Sequence, residues 1–154
     1  MLSRSGLEGA LQSDAAPLHE LCKAVLESGA RVRVLRDPTR GGVATTLNEF
    51  AEDSGLTMLL RESDIPVRED VNAVCELLGL DPLYCANEGK LLCVVPEEDA
   101  EKALTALRSV PEGKNAARIG TVTESRGAGV LLETAFGGTR ILQKLSGAQL
   151  PRIC

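Results

Sequence analysis

The last residue of the 154-residue sequence is a cysteine, and its thiol is well suited to covalent chemistry. In the segment Pro151-Arg152-Ile153-Cys154, such a thiol can enter a pocket, react there and be presented elsewhere. Prenylation does not fit, because a CaaX box has its cysteine fourth from the end. An exposed free thiol is an oxidation liability, which favours a function. We predict that Cys154 is catalytic and carries the substrate; the alternative is a thiol that merely ends the chain.

The motif Asp37-Pro38-Thr39-Arg40-Gly41-Gly42 lies between a predicted strand and a predicted helix. Glycines allow a ligand to approach the backbone, and the N–H groups at a helix start attract anions. Arg40 would add a forked, charge-assisted contact to a phosphate. A Walker A loop is absent. The structural alternative is that Asp37 or Thr39 caps the helix while the glycines turn the chain. The predicted binding residues are Asp37, Thr39, Arg40, Gly41 and Gly42.

The tripeptide Asn87-Glu88-Gly89 comes just before an apolar run and is followed by Lys90. A carboxylate on such a loop can act as a general base when it is partly desolvated. We therefore predict Glu88 as a second catalytic residue. The alternative is a polar turn with a solvated glutamate.

The remaining cysteines do not predict a metal site. The five cysteines form no CxxC pair, so neither a zinc knuckle nor a thioredoxin motif is indicated. Cys22, Cys75 and Cys93 fall in apolar patterns and are predicted core residues, whereas Cys85 is less clear. His19 is predicted to be exposed, and no metal ligands are assigned.

Composition narrows the class of protein. The net charge is −5, and the only aromatic residues are Phe50, Tyr84 and Phe136. A nucleic-acid-binding protein would need basic grooves or stacking platforms, so nucleic acid is not an expected partner. No apolar stretch approaches the length of a membrane span, and the N-terminus lacks a signal-peptide core. These features predict a cytoplasmic protein that does not enter a membrane.

Hydrophobic periodicity predicts four helices and six strands that would position these residues. Three of the helices are expected to end at Gly29, Gly55 and Gly79. The predicted buried stripes are Val43, Leu47, Phe50 and Ala51 in the second helix and Val71, Val74, Cys75 and Leu78 in the third. Strand 90–95 is apolar on both faces, which predicts a central strand. The fold class is therefore α+β, with helices packed on a mixed or antiparallel sheet over residues 1–145, followed by a tail at 146–154. The predicted strands are 31–35, 56–61, 90–95, 117–123, 129–134 and, after a turn at Gly137-Gly138, 139–143.

The sequence resembles the HypE family of hydrogenase maturation proteins. The resemblance runs from about residue 13 to residue 154 and is carried by DPTRGGVATTLNEFAEDSG, LGLDPLYCANEGKLLCVV, ETAFGGTR and the ending PRIC. DPTRGG alone would indicate only the wider superfamily of aminoimidazole ribonucleotide synthetase and selenophosphate synthetase.

The resemblance implies a two-domain protein that forms a homodimer and binds ATP and Mg²⁺ mainly through an N-terminal domain. This chain matches the second domain only, so alone it is expected to lack most of the nucleotide site and to be inactive. In the family, the carbamoyltransferase HypF loads the terminal thiol with a carbamoyl group. ATP-dependent dehydration then gives a thiocyanate, and the cyano group passes to iron held by HypC–HypD.

On this resemblance, Cys154 would carry the carbamoyl group and Glu88 would accept the amide protons. The motif at 37–42 would stabilise the transferred phosphoryl group. A carboxylate base working near neutral pH needs a raised pKa, which a closed, dehydrated pocket would supply. Two alternatives are another ATP-dependent superfamily member, such as a selenophosphate synthetase-like enzyme, and a non-catalytic partner-docking domain.

Overall fold

Four helices and six strands alternate along the part of the chain that the computed structural model describes, which is Ser13, residues 15–124, Gly127 and residues 129–145. The helices are α1 (His19–Glu27), α2 (Gly42–Ser54), α3 (Glu69–Leu78) and α4 (Ala100–Arg108). The strands are β1 (Val34–Arg36), β2 (Thr57–Arg61), β3 (Leu92–Val94), β4 (Gly120–Thr123), β5 (Gly129–Glu133) and β6 (Thr139–Leu142). The predicted α+β fold class is confirmed.

The larger sheet has four strands in the order β4-β2-β5-β6. Strand β2 runs antiparallel to β4 and parallel to β5, and β5 forms an antiparallel hairpin with β6. The sheet is therefore mixed. Helix α2 packs on it with the predicted stripe, and this contact forms the main core. We name it the sheet cluster; its buried members are Val43, Ala44, Leu47, Phe50, Ala51, Met58, Leu60, Leu83, Val130, Leu132 and Leu142.

The smaller sheet is a ribbon of two antiparallel strands, β1 and β3. The prediction of a central strand at 90–95 is wrong, because β3 pairs only with β1 among the described residues. The sequence of β3 is apolar on both faces because the ribbon lies between two cores. Leu92 and Val94 pack on the sheet cluster. Cys93 packs on a second group, the α1–α4 cluster, built around Val25, Ala30 and Ala103 and flanked by Val32, Leu35, Cys93, Val95 and Leu107.

Glycines end three helices where the sequence predicted them. Gly29 follows the Ser28 cap of α1 and has a φ of 77°. Gly55 and Gly79 cap α2 and α3 with φ of 70° and 67°, a left-handed conformation that costs a glycine little. The apolar stripe of α2 is buried as predicted. The stripe predicted for α3 is not, since Cys75 is its only buried residue and Leu78 is 59% exposed.

Along the described part of the chain, every helix is too short or too polar to cross a membrane.

Candidate functional site

The ribbon brings the two predicted motifs to the same place. Strand β1 ends at Arg36, whose cross-strand partner is Leu92, the first residue of β3. Because the strands are antiparallel, the chain leaving β1 and the chain entering β3 lie at one end of the ribbon. We name these segments the DPTRGG loop (residues 37–42) and the NEG loop (residues 85–90). The backbone N–H of Asn87 donates to the carbonyl oxygen of Pro38 at 3.0 Å, which joins the two loops directly.

A second contact between the two segments depends on a glycine. Gly42 has a φ of +64° and lies under the backbone of residues 83–85. A Cβ at this position would come 2.5 Å from the carbonyl oxygen of Leu83 and 2.6 Å from that of Cys85. Real Cβ atoms do not approach a backbone oxygen so closely, so only glycine allows α2 to begin at this point.

The start of α2 differs from the structural alternative considered for the motif. The cap is Gly41, with a φ of 79°, and no side chain makes a capping hydrogen bond. The expectation that Asp37 or Thr39 would cap this helix is therefore wrong. Thr39 contributes its carbonyl oxygen instead, which accepts from the N–H of Gly42 at 3.1 Å. The tight turn at the two glycines moves the helix start beyond the reach of the capping side chains.

The first turn of α2 keeps donors that no described residue satisfies. No hydrogen bond joins the N–H of Val43 or Ala44 to another described residue. The Thr45 hydroxyl is buried and has no partner in that part of the chain. Arg40 is exposed at the same end of the helix. Unsatisfied N–H groups, the positive end of the helix dipole and a nearby guanidinium fit a phosphate group.

The NEG loop is closed by the side-chain amide of Asn87. Its Nδ2 donates to the carbonyl oxygen of Cys85 at 2.7 Å, and its Oδ1 accepts from Lys90 Nζ at 2.7 Å. Glu88 lies between these two contacts, and its side chain is exposed. The loop therefore holds the backbone of Glu88 without enclosing its carboxylate.

The turn that leads into the NEG loop is attached to strand β6. Asp81 Oδ1 accepts from the N–H of Leu83 at 2.9 Å, and Asp81 Oδ2 pairs with Arg140 Nη1 at 2.9 Å. The hydroxyl of Tyr84 donates to the carbonyl oxygen of Gln143 at 2.9 Å. One turn thus contacts the start of α2 on one side and the end of β6 on the other.

The Cys85 thiol next to the site is held in its neutral form. Burial raises its pKa to about 11, and the neighbouring Cys75 thiol adds to the effect. Burial also raises the pKa of the Tyr84 hydroxyl. A thiol that stays protonated is a poor nucleophile, so Cys85 does not supply the reactive sulfur of this site.

Two further features of the described residues bear on ligand binding. No group of three or more His, Cys, Asp or Glu side chains that could hold a metal ion occurs in this part of the chain. A cavity of about 140 Å³ lies between β2 and β4 and shares no residue with either loop. It is smaller than the several hundred cubic ångströms typical of ligand pockets.

The predicted site residues are distributed unevenly. The structure brings Glu88 together with the loop that contains Asp37, Thr39, Arg40, Gly41 and Gly42. Cys154 and the rest of PRIC lie outside the described residues. Asn87 and Thr45 were not among the predicted site residues, although Asn87 is the first residue of the Asn87-Glu88-Gly89 tripeptide. Thr45 could have been suggested by its position, since it carries a hydroxyl in the first helical turn after Gly41-Gly42.

Comparison with known proteins agrees with this geometry. Residues 1–133 match the family described as AIR synthase related protein, C-terminal domain. The chain is 54% identical over 149 residues to carbamoyl dehydratase HypE of Azotobacter vinelandii. These residues are 97% of this chain and 44% of that protein.

Solved structures are similar over the same length. One is hydrogenase maturation protein HypE in complex with ATP, with a TM-score of 0.88 and 51% identity over 97% of this chain and 46% of that one. Another is a chain of a HypE–HypF complex, with a TM-score of 0.84 and 41% identity over 90% of this chain and 45% of that one. The chain spans less than half the length of these relatives. It belongs to the AIR synthase related protein, C-terminal domain family, and the relatives it resembles within that family are HypE proteins.

Proposed function

We propose that this chain is the thiol-carrying part of a carbamoyl dehydratase that makes cyanide ligands during [NiFe]-hydrogenase maturation. The full-length protein would convert a carbamoyl group on Cys154 into a thiocyanate at the expense of ATP. The observation that carries the proposal is the direct contact between the DPTRGG and NEG loops, through Asn87 N–H to Pro38 O at 3.0 Å. That contact supports the proposal, because it joins the loop that leads into α2 to the loop that contains Glu88. A phosphorylation-driven dehydration needs a group that binds phosphate and a base.

The DPTRGG loop would bind the phosphoryl group during this reaction. ATP, when bound, supplies the phosphoryl group that turns the carbonyl oxygen of the carbamoyl group into a leaving group. The positive end of the α2 dipole and the exposed guanidinium of Arg40 would stabilise the negative charge on its oxygens. Mg²⁺ and most of the nucleotide would be held by an N-terminal domain.

Glu88 would accept the protons of the carbamoyl nitrogen. The carbamoyl group loses its oxygen as phosphate and its two N–H protons, and a C≡N triple bond forms on sulfur. The Glu88 carboxylate is exposed in this chain. The enclosure that a base active near neutral pH requires would therefore come from groups outside the described residues, such as the second domain or the modified thiol itself.

Chain length allows Cys154 to reach this site. The carbonyl oxygen of Gln143 accepts from the Tyr84 hydroxyl at 2.9 Å. Tyr84 belongs to the segment 83–85 that covers Gly42, so only its side chain separates Gln143 from that segment. Residues 144–154 can span at most about 36–40 Å when extended. The thiol can therefore return to the loops or extend to a partner protein.

The experiment is an intact-mass measurement on the full-length protein after incubation with HypF, carbamoyl phosphate and ATP. Wild-type protein is expected to gain a carbamoyl group and then to lose the mass of one water. Cys154→Ala should gain nothing. Glu88→Gln should stop at the carbamoyl form. Cys22→Ser is the matched control, since it removes a thiol far from both loops in sequence and should behave as wild type.

Two results would contradict the proposal. Carbamoylation of Cys154→Ala would remove the carrier role, and a normal thiocyanate yield from Glu88→Gln would remove Glu88 from the mechanism.

The proposal also covers domain organisation, location and partners. The protein would be a cytoplasmic homodimer, with residues 1–145 as a domain and residues 146–154 as its tail. It would receive its carbamoyl group from HypF and deliver cyanide to HypC–HypD. The HypE–HypF complex of a relative supports the first partner.

A further inference from the structure

The amide of Asn87 is the centre of the hydrogen bonds that shape the NEG loop. Its side chain reaches backwards to the carbonyl oxygen of Cys85 and forwards to the ammonium of Lys90, both at 2.7 Å. Its backbone N–H reaches across to Pro38 at 3.0 Å. One residue therefore ties together both ends of the loop and the neighbouring DPTRGG loop.

We propose that Asn87 is a positioning residue that fixes the direction of Glu88 relative to the start of α2. The inference rests on the proposed function, in which Glu88 is the base. Glu88 follows Asn87 directly and precedes Gly89, a residue that does not restrict the backbone by itself. The Asn87 amide restricts this segment, because its two side-chain contacts lie on either side of Glu88 in the sequence. A base displaced by about 1 Å loses much of its effect, because proton transfer requires a short and aligned contact.

The chemistry of the contacts explains why the residue is an asparagine. A carboxamide supplies a donor and an acceptor within one short side chain. The Cys85 carbonyl requires the donor, and the Lys90 ammonium requires the acceptor. Aspartate at position 87 would keep the contact with Lys90 and lose the contact with Cys85. Alanine would lose both, while the backbone contact with Pro38 would remain in each variant.

The test is a single-turnover assay on full-length protein that already carries a carbamoyl group on Cys154. The rate of thiocyanate formation is followed by intact mass at several pH values and ATP concentrations. For Asn87→Ala we expect the maximal rate to fall about tenfold or more. The ATP concentration that gives the half-maximal rate should change less than about twofold, because the phosphate-binding loop is intact. Asn87→Asp and Lys90→Ala should each give an intermediate rate.

Asn72→Ala is the matched control. It removes an amide that donates to Glu76 Oε1 at 2.8 Å on the exposed side of α3, and it should react as wild type. If Asn87→Ala does not fold, Asn87→Asp and Lys90→Ala provide the same comparison.

The possible results separate the two proposals. A wild-type rate for Asn87→Ala overturns the positioning role. A parallel rise in the ATP requirement would instead make Asn87 part of nucleotide binding, which also overturns it. The proposed function fails by a different result, the absence of any carbamoyl or thiocyanate product on the wild-type protein, and the positioning role then fails with it.

Discussion

Replacing Gly42 by alanine tests whether the two loops are held together by close backbone packing. The new Cβ would come 2.5 Å from Leu83 O, 2.6 Å from Cys85 O and 2.9 Å from the carbonyl carbon of Tyr84. All three atoms are backbone, so no side-chain rotation can relieve the overlap. The left-handed backbone, with a φ of +64°, adds strain for any residue with a side chain.

The expected loss of stability has two parts. Left-handed backbone costs a non-glycine residue about 1–2 kcal/mol. Forcing extra volume into a packed region costs about 1–3 kcal/mol more. We therefore expect Gly42→Ala to lower the free energy of unfolding by about 2–5 kcal/mol. Gly55→Ala is the matched control, because Gly55 has a φ of +70° with nothing within 4 Å of its Cβ position. It should lose only about 1–2 kcal/mol.

Urea unfolding followed by far-ultraviolet circular dichroism measures both variants, and this signal suits a chain with no tryptophan. Equal stabilities of Gly42→Ala and Gly55→Ala would refute the reasoning, since they would show that residues 83–85 move away from α2 at no cost.

Two further predictions concern titratable groups. Hydrogen bonds from the Arg31 side chain and backbone N–H lower the pKa of Asp99 to about 2, so this carboxylate stabilises the fold above its ordinary pKa and ceases to do so as the pH falls through about 2. Asp99→Asn should therefore lower the melting temperature at neutral pH and flatten its decline between about pH 4 and pH 2. Asp53→Asn, an exposed control, should follow the wild-type curve; a parallel curve for Asp99→Asn would disprove the linkage. The Cys85 pKa of about 11 should slow its alkylation. At pH 8 iodoacetamide should modify Cys85 on the order of a hundredfold more slowly in the folded chain than in urea, measured by peptide mapping, and equal rates would show that burial does not protect it.

Local rules in the sequence predicted most helix positions. Gly55 and Gly79 end helices because only glycine adopts the left-handed conformation cheaply, and this requirement is visible in one sequence. The apolar spacing of α2 predicted its buried face for the same local reason. The failure at β3 is different: an apolar run shows that both faces are covered, but the covering layers of the ribbon are two separate clusters. An apolar segment of sequence does not show whether its two faces are covered by separate clusters or by the neighbouring strands and helices of one sheet.

The candidate site was predicted as two separate motifs and not as one arrangement. Pro38 and Asn87 are far apart in sequence, and their contact depends on the pairing of β1 with β3. Periodicity does not reveal such a pairing. The start of α2 was harder to predict, because Asp and Thr are good capping residues in general. In the structure the cap is Gly41, which follows both Asp37 and Thr39 and has a left-handed backbone.

The position of the ribbon between two cores gives distant residues an influence on the loops. Val34 packs on the sheet cluster, whereas Leu35, the next residue, packs on the α1–α4 cluster. A change of volume in either cluster therefore acts on the same two strands, and both loops leave from the end of those strands. A random-mutagenesis screen for reduced dehydration should consequently recover substitutions at Val25 and Ala103, residues that touch neither loop.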